Sequence, residues 1–223
     1  MLNVQALNKH YGQNQVLNQV SFSAKKGDII GLVGENGAGK STLLHILATL
    51  EVPTNGQITL DKQSFKQHHK QIRPNIGFVP QDIALWDEFT VEENMVFFEK
   101  LSWKKRNKAE LQQLCLEMHL EKWKTPVHIL SGGMKRKLNL AISLIHDPLL
   151  LLLDEPTVGI DLKSRQEIGN YLKRLAKDKQ KIIIYTSHDM DEILNVCDHV
   201  FCLGDDAFYY HFLEERGKSV TIL

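Results

Sequence analysis

With 223 residues, a hydrophobic share of 43% and a charged share of 24%, the chain has the make-up of a globular protein with a sizeable core: one large domain, or one with a lobe inserted. Lys and Arg number 27, as do Asp and Glu, so the formal net charge is zero. This excludes a bulk electrostatic drive towards nucleic acid or anionic lipid and leaves only local patches for either.

In chain order, Met1–Gly12 carries no charged-then-apolar signal pattern. Val16–Ala24 alternates apolar and polar residues, which predicts a half-buried strand. Lys26-Gly27-Asp28 is a turn, and the continuous apolar run Ile29–Val33 predicts a strand buried on both faces. A Gly-rich loop follows, then a helix-like run over 41–50. Pro53-Thr54-Asn55-Gly56 breaks the chain before a short strand at 57–60, and Asn75–Gln81 reads as another strand, ended by Pro80. From about Asp82 to Pro148 the period changes. Thr90 with Glu93 forms a capping-box signature. Leu111, Leu114, Cys115 and Met118 recur at helical spacing, as do Leu138, Ala141, Ile142 and Ile145. Strands return at 149–153 and 181–186, separated by a helix-like stretch over 162–177. Such alternation predicts a mainly parallel sheet with a helical lobe inserted. The tail from Val200 is expected to form short strands and one helix turn. The longest apolar run, Leu149–Leu153, is far short of the roughly 20 residues that span a bilayer, so the chain is not expected to enter a membrane by itself. Cys115, Cys197 and Cys202 lack paired metal-ligand spacing, and an odd number without a secretory signal predicts reduced thiols in a cytosol.

Two stretches carry chemistry on their own. Residues 34–42 read GENGAGKST, which fits G-x-x-x-x-G-K-[ST] with Gly34, Gly39, Lys40 and Ser41 at the fixed positions. A buried strand before it and a helix after it are the context that gives this motif its meaning. The glycines let backbone N–H groups close round phosphate oxygens, and the helix N-terminus adds partial positive charge. Lys40 would place a point charge on the β- and γ-phosphates, and Ser41 would offer its hydroxyl to Mg²⁺. The second stretch, Leu149–Pro156, ends a buried strand in Asp154 and Glu155. Asp154 suits the Mg²⁺ site, through water, and Glu155 suits a general base that polarises an attacking water. A third stretch, Leu130–Lys137 (LSGGMKRK), looks like another phosphate-type loop, although the chain already has a better one upstream.

Taken together, these motifs and their order resemble the ATP-binding cassette family, the ATPase subunits of ABC transporters, over nearly the whole chain. The resemblance implies an α/β fold: a P-loop NTPase core with a mainly parallel sheet, an N-terminal antiparallel β-subdomain and an inserted α-helical subdomain. One domain would span 1–223, with the helical part at about 82–148. It implies ATP and Mg²⁺ as ligands. The phosphate-binding set would be Gly34, Asn36, Gly37, Ala38, Gly39, Lys40, Ser41 and Thr42. Tyr11 matches the aromatic that stacks on adenine; the alternative, on sequence alone, is a core tyrosine. Gln81 matches the glutamine that reaches Mg²⁺ and the attacking water, and His188 the histidine at the γ-phosphate. Residues 130–134 match the family's signature loop, and Val158–Asp161 the loop that crosses a dimer interface. This accounts for two phosphate-type loops in one chain. In this family two cassettes pair head to tail, so Ser131, Gly132 and Gly133 of one subunit would close on the nucleotide held by the other.

The implied partners are a transmembrane permease subunit and a second ABC ATPase subunit, expected as a homodimer. The implied place is the cytoplasmic face of the membrane, peripherally. The segment 131–137 with 156–161 looks most like exporter cassettes with a separately encoded membrane subunit. A soluble cassette ATPase acting on nucleic acid or ribosomes is the alternative. It is disfavoured because each motif occurs once and no coiled-coil or zinc insertion is visible, so no nucleic acid is expected. Two departures stand out: Leu162 sits where many relatives have proline, and Asp61-Lys62 lacks a glycine common in that turn. No extra C-terminal regulatory domain is expected. His68-His69 reads as a solvated turn, and Lys104-Lys105-Arg106 with Lys108 as an exposed helix start. Trp86 and Phe89 read either as lobe core or as a docking surface for the membrane partner.

Overall fold

The computed structural model describes residues 1–204 and 207–223. The chain opens with two long strands, β1 (Leu2–Tyr11) and β2 (Asn14–Ala24), followed by β3 (Ile29–Val33) and helix α1 (Lys40–Leu47). Next come β4 (Asn55–Leu60), β5 (Gln63–Ser64), α2 (Phe65–Ile72) and β6 (Ile76–Val79). Helices α3 (Val91–Leu101), α4 (Lys108–Leu116) and α5 (Gly132–Ser143) then precede β7 (Leu150–Leu153). The remainder is α6 (Leu162–Lys179), β8 (Ile182–Thr186), α7 (Met190–Val196), β9 (His199–Cys202), α8 (Ala207–Glu214) and β10 (Val220–Ile222).

The strands form two sheets. An antiparallel sheet has the order β2-β1-β4-β5, and a six-stranded sheet has the order β10-β9-β3-β8-β7-β6 with parallel pairing throughout. The central parallel strands β3, β7 and β8 are buried on both faces, and their side chains alternate between two cores. On β7, Leu151 and Leu153 join the core shared with the helices, whereas Leu150 and Leu152 join the core shared with α1 and the antiparallel sheet. On β8 the same division separates Ile183 and Tyr185 from Ile182 and Ile184. Because the strands run in parallel, every carboxyl end emerges at one edge, where open α/β sheets bind ligands.

Local chemistry explains several element boundaries. Thr90 and Glu93 make the reciprocal bonds of a capping box at the start of α3, and Asn107 with Glu110 does the same for α4. The basic run 104–106 therefore precedes α4 and is not its first turn. Within it, Lys104 pairs with Asp147, and Arg106 donates to the carbonyl of Ile145. His68 and His69 lie in α2, which kinks at His68, and are exposed on a helix where a turn was expected. The β4–β5 turn uses Asp61 (φ 46) and Lys62 (φ 69), two left-handed residues in succession, as a two-residue hairpin of the I′ type demands. The Asp61 carboxylate accepts from the Met1 ammonium and pairs with Lys26 at 3.0 Å. The tail holds an eight-residue helix, α8, between two strands, rather than one helix turn.

All three cysteines are free and buried. Burial pushes the Cys115 thiol up to about 12 and the Cys202 thiol to about 11, and raises Cys197 as well. Since the thiolate is the reactive form, the folded chain is expected to react slowly with a thiol reagent at pH 8. Denaturant should release all three. Rapid labelling of the native chain would contradict this burial.

Candidate functional site

Four loops converge at the carboxyl edge of the parallel sheet. β3 leads into Gly34–Thr42, β6 into Gln81, β7 into Asp154 and Glu155, and β8 into His188. Adjacent strands are held in register by pairs such as Val79 with Leu153 and Leu32 with Thr186.

The Gly34–Thr42 loop is shaped by its glycines. At Gly34 (φ 147) a Cβ would lie 2.2 Å from the Leu203 carbonyl oxygen, and at Gly39 (φ 96) it would lie 2.8 Å from Leu17 Cδ2. At Gly37 (φ 88) it would meet nothing within 4 Å. Asn36, Gly37 and Ser41 are exposed, and Ala38 and Thr42 are half-buried. No side chain caps α1. Its first N–H groups therefore remain available as donors to an anion, next to the positive end of the helix. Lys40 is buried and donates to the carbonyls of Gly34 (2.7 Å) and Glu35 (2.9 Å). Burial holds its ammonium below the usual lysine range, and the charges of Glu155 and Asp154 oppose that shift. Such a loop fits a phosphate chain.

Tyr11 ends β1 near this loop and is about half exposed (47%). Its hydroxyl donates to Glu51, which together with burial raises the phenol above its ordinary range; a hydrogen bond with Thr42 opposes this. Lys9 Nζ sits 4.7 Å from the ring centroid. Tyr11 is thus a surface aromatic and not a core residue.

Across the loop, Glu155 is held at both carboxylate oxygens. Gln81 Nε2 donates to Oε2 at 3.0 Å, and His188 Nε2 lies 2.7 Å from Oε1. Glu155 itself has φ 47, a left-handed conformation for a non-glycine residue. Asp154 is buried and accepts from Thr186 Oγ1 at 2.8 Å. Ser41, Gln81 and Asp154 offer a hydroxyl, an amide carbonyl and a carboxylate. This all-oxygen donor set fits Mg²⁺, which is usually held by one or two carboxylates together with substrate phosphates. Among the described residues, no three His, Cys, Asp or Glu side chains gather to hold a metal on protein ligands alone.

Ser131, Gly132 and Gly133 lie elsewhere. Ser131 caps α5, accepting from Met134 N at 3.3 Å. Gly133 packs on the start of α6, where a Cβ would lie 2.3 Å from Ser164 Oγ. Asp161 caps that helix, accepting from Ser164 N (2.9 Å) and Ser164 Oγ (2.7 Å). Among the described residues, no hydrogen bond joins the Ser131–Gly133 segment to the Gly34–Thr42 loop. Trp86 and Phe89 are 53% and 39% exposed and stacked on each other, with Phe97 edge-on to Trp86.

Sequence reasoning missed Arg136 and Thr186. Arg136 is buried in α5, and its guanidinium donates to the Gln81 carbonyl, tying the start of α5 to the loop after β6. Burial lowers its pKa, and the charges of Asp82 and Glu155 oppose that. In the sequence Arg136 is one basic residue among several, so only its tertiary neighbours mark it.

A family model described as ABC transporter matches residues 17–158. A second, an AAA domain (putative AbiEii toxin, Type IV TA system), matches 124–195, less than half of the chain. Over 90% of its length the chain is 38% identical to the linearmycin resistance ATP-binding protein LnrL of Bacillus subtilis. It is also 38% identical, over 93% of its length, to the Nod factor export ATP-binding protein I of Ralstonia nicotianae. It spans 65% of the length of each. Among solved structures, a dimeric ATP-binding cassette in a post-hydrolysis state, bound to ADP and Pi, superposes with a TM-score of 0.79 at 25% identity. That match covers 91% of this chain and 94% of the other. The family match, the identity with these relatives and the shared architecture agree: the chain belongs to the ABC transporter family, as one of its ATP-binding cassettes.

Proposed function

We propose that the chain is the ATP-binding and hydrolysing subunit of an ABC exporter, working through a separate transmembrane subunit. The observation that carries this reading is the Glu155 carboxylate, gripped between Gln81 and His188 beside a phosphate-shaped loop. The Gly34–Thr42 backbone and Lys40 bind and orient the triphosphate, and Tyr11 stacks on the base, a contact worth roughly 1–3 kcal/mol. Ser41, Gln81 and Asp154 hold Mg²⁺, which when bound neutralises charge on the phosphates. Glu155 takes the proton of the attacking water, and His188 keeps the carboxylate aimed while contacting the γ-phosphate.

The chain acts as one domain over 1–223, with the helical part at about 82–148 inserted in the core. Two copies pair head to tail, so that Ser131, Gly132 and Gly133 of one meet the nucleotide of the other and Asp161 lies at their interface. Among the described residues, no helix is long and apolar enough to cross a membrane. The exposed Trp86–Phe89 surface is the docking face for the permease, and the chain sits peripherally on the cytoplasmic face of the membrane. Export is supported by a relative named for Nod factor export.

Lys40→Ala tests nucleotide binding. A bond to a charged group contributes about 1.5–3 kcal/mol, and 1.4 kcal/mol is a factor of about ten in affinity. ATP affinity measured by calorimetry should therefore fall about tenfold or more. Unchanged binding would remove this loop from the site.

A further inference from the structure

Thr186 ends β8 and is fully buried, with 0% exposure. Its Oγ1 lies 2.8 Å from Asp154 Oδ1 and accepts the Glu155 N–H at 2.9 Å. The Leu153 carbonyl is farther, at 3.4 Å. A hydroxyl carries one proton, and the nearer, charged acceptor takes it. Thr186 therefore donates to Asp154 and accepts from Glu155 through a single oxygen.

The position explains why a side chain is needed there. β7 ends at Leu153, and its pairing with β8 ends at Leu153 with Tyr185. Beyond that pair the turn keeps a backbone bond on the β6 side, from Asp154 N to the Val79 carbonyl at 2.9 Å, but on the β8 side Glu155 N meets a side chain instead of a ladder carbonyl. Glu155 nevertheless keeps φ 47, a conformation that a non-glycine residue retains only where its surroundings over-determine it. The Thr186 hydroxyl substitutes for the missing ladder bond at Glu155 N and, with the same atom, fixes the Asp154 carboxylate. It determines which oxygen of Asp154 stays free for a metal.

We propose that Thr186 is a positioning residue that registers Asp154 and Glu155 as one unit, so that the metal-holding and proton-accepting groups are placed together. This rests on the nucleotide-hydrolysis reading given above. Thr186 touches neither nucleotide nor metal itself. It acts through the two carboxylates, as outer-shell hydrogen bonds to metal ligands do.

The test compares Thr186→Val, which keeps the shape and loses the hydroxyl, with Thr186→Ser, which keeps the hydroxyl. Three quantities are read in the full chain: ATP affinity without metal, Mn²⁺ affinity of the ATP-bound chain by electron paramagnetic resonance, and kcat against KM. For Thr186→Val, Mn²⁺ affinity and kcat should each fall by about 10–100-fold, with metal-free ATP affinity and KM little changed. Thr186→Ser should restore both. If the valine chain does not fold, Thr186→Ala serves in its place against the same serine control. Wild-type Mn²⁺ affinity and kcat in the valine or alanine chain would overturn the inference. So would a loss of metal-free ATP affinity as large as the other losses, without rescue by serine, because that is general damage. A wild-type chain that fails to bind ATP would overturn the site reading itself, a result distinct from either.

Discussion

Glu155→Gln will slow ATP turnover by about 10²–10⁴-fold, the usual contribution of a positioned general base, while ATP binding persists. Glutamine has the outline of glutamate but cannot take a proton from water. The surrounding contacts tolerate the change. Gln81 donates to one oxygen of Glu155 and His188 lies against the other. Residue 155 as an amide can keep its carbonyl oxygen towards Gln81 Nε2 and turn its NH₂ to His188, whose Nε2 accepts when the ring proton sits on Nδ1, so the Gln81 carbonyl stays turned to the metal. Lys40 still has the Asp154 charge to offset its burial, so the phosphate contacts remain. With hydrolysis slowed, ATP should hold two chains together, and light scattering after size exclusion should show a dimer with Mg-ATP and a monomer with ADP. Turnover at the wild-type rate would show that Glu155 is not the base.

The sequence displayed the site better than it displayed the scaffold round it. The phosphate loop and the Asp154-Glu155 pair were legible because fixed spacing and a preceding buried strand make them so. The strands at 29–33, 149–153 and 181–186 were legible from continuous apolar runs. β1 was not. Its inward residues include Val4 and Leu7, three apart, which breaks a period of two. The structure reconciles them with a register shift between Val4 and Leu7, where Ala6 has φ 46. A bulge of that kind leaves no mark in a pattern count. α7, with seven residues, is too short for a helical period to declare itself. Thr186 and Arg136 escaped for a different reason. Their partners are 31, 32 and 55 positions away along the chain, so only the pairing of β7 with β8 and the packing of α5 bring them to the site. The proposed pairing of Ser131–Gly133 with a second chain rests on family resemblance alone, because within one chain that segment meets Ser164 and Asp161 instead.

Gly132→Asp separates binding within one chain from closure between two. Gly132 is the first residue of α5, and a Cβ there has Gly159 O at 3.6 Å and Ile160 Cγ2 at 3.9 Å as its nearest neighbours. Both are ordinary contacts, so the monomer should accept a side chain. A carboxylate in the first turn of a helix is, if anything, stabilising, by about 0.3–1 kcal/mol. Gly133 would be the wrong choice, because its Cβ would lie 2.3 Å from Ser164 Oγ and the loss would be structural. In the closed pair the carboxylate introduced by Gly132→Asp would face the γ-phosphate of the other chain, a juxtaposition of like charges costing several kcal/mol. Placed on the Glu155→Gln background, Gly132→Asp should therefore abolish the ATP-dependent dimer, while each monomer still binds ATP through Lys40 and Tyr11. Mixing a Lys40→Ala chain with a Gly132→Asp chain, both carrying Glu155→Gln, leaves one composite site with both loops intact and the other with both defects. Some ATP-dependent association should return when one filled site is enough to hold the pair. Calorimetry on the monomer and light scattering on the mixture read the two halves separately. Weaker ATP binding by the Gly132→Asp monomer, or a dimer that survives the substitution, would show that the signature loop does not act on its partner's nucleotide.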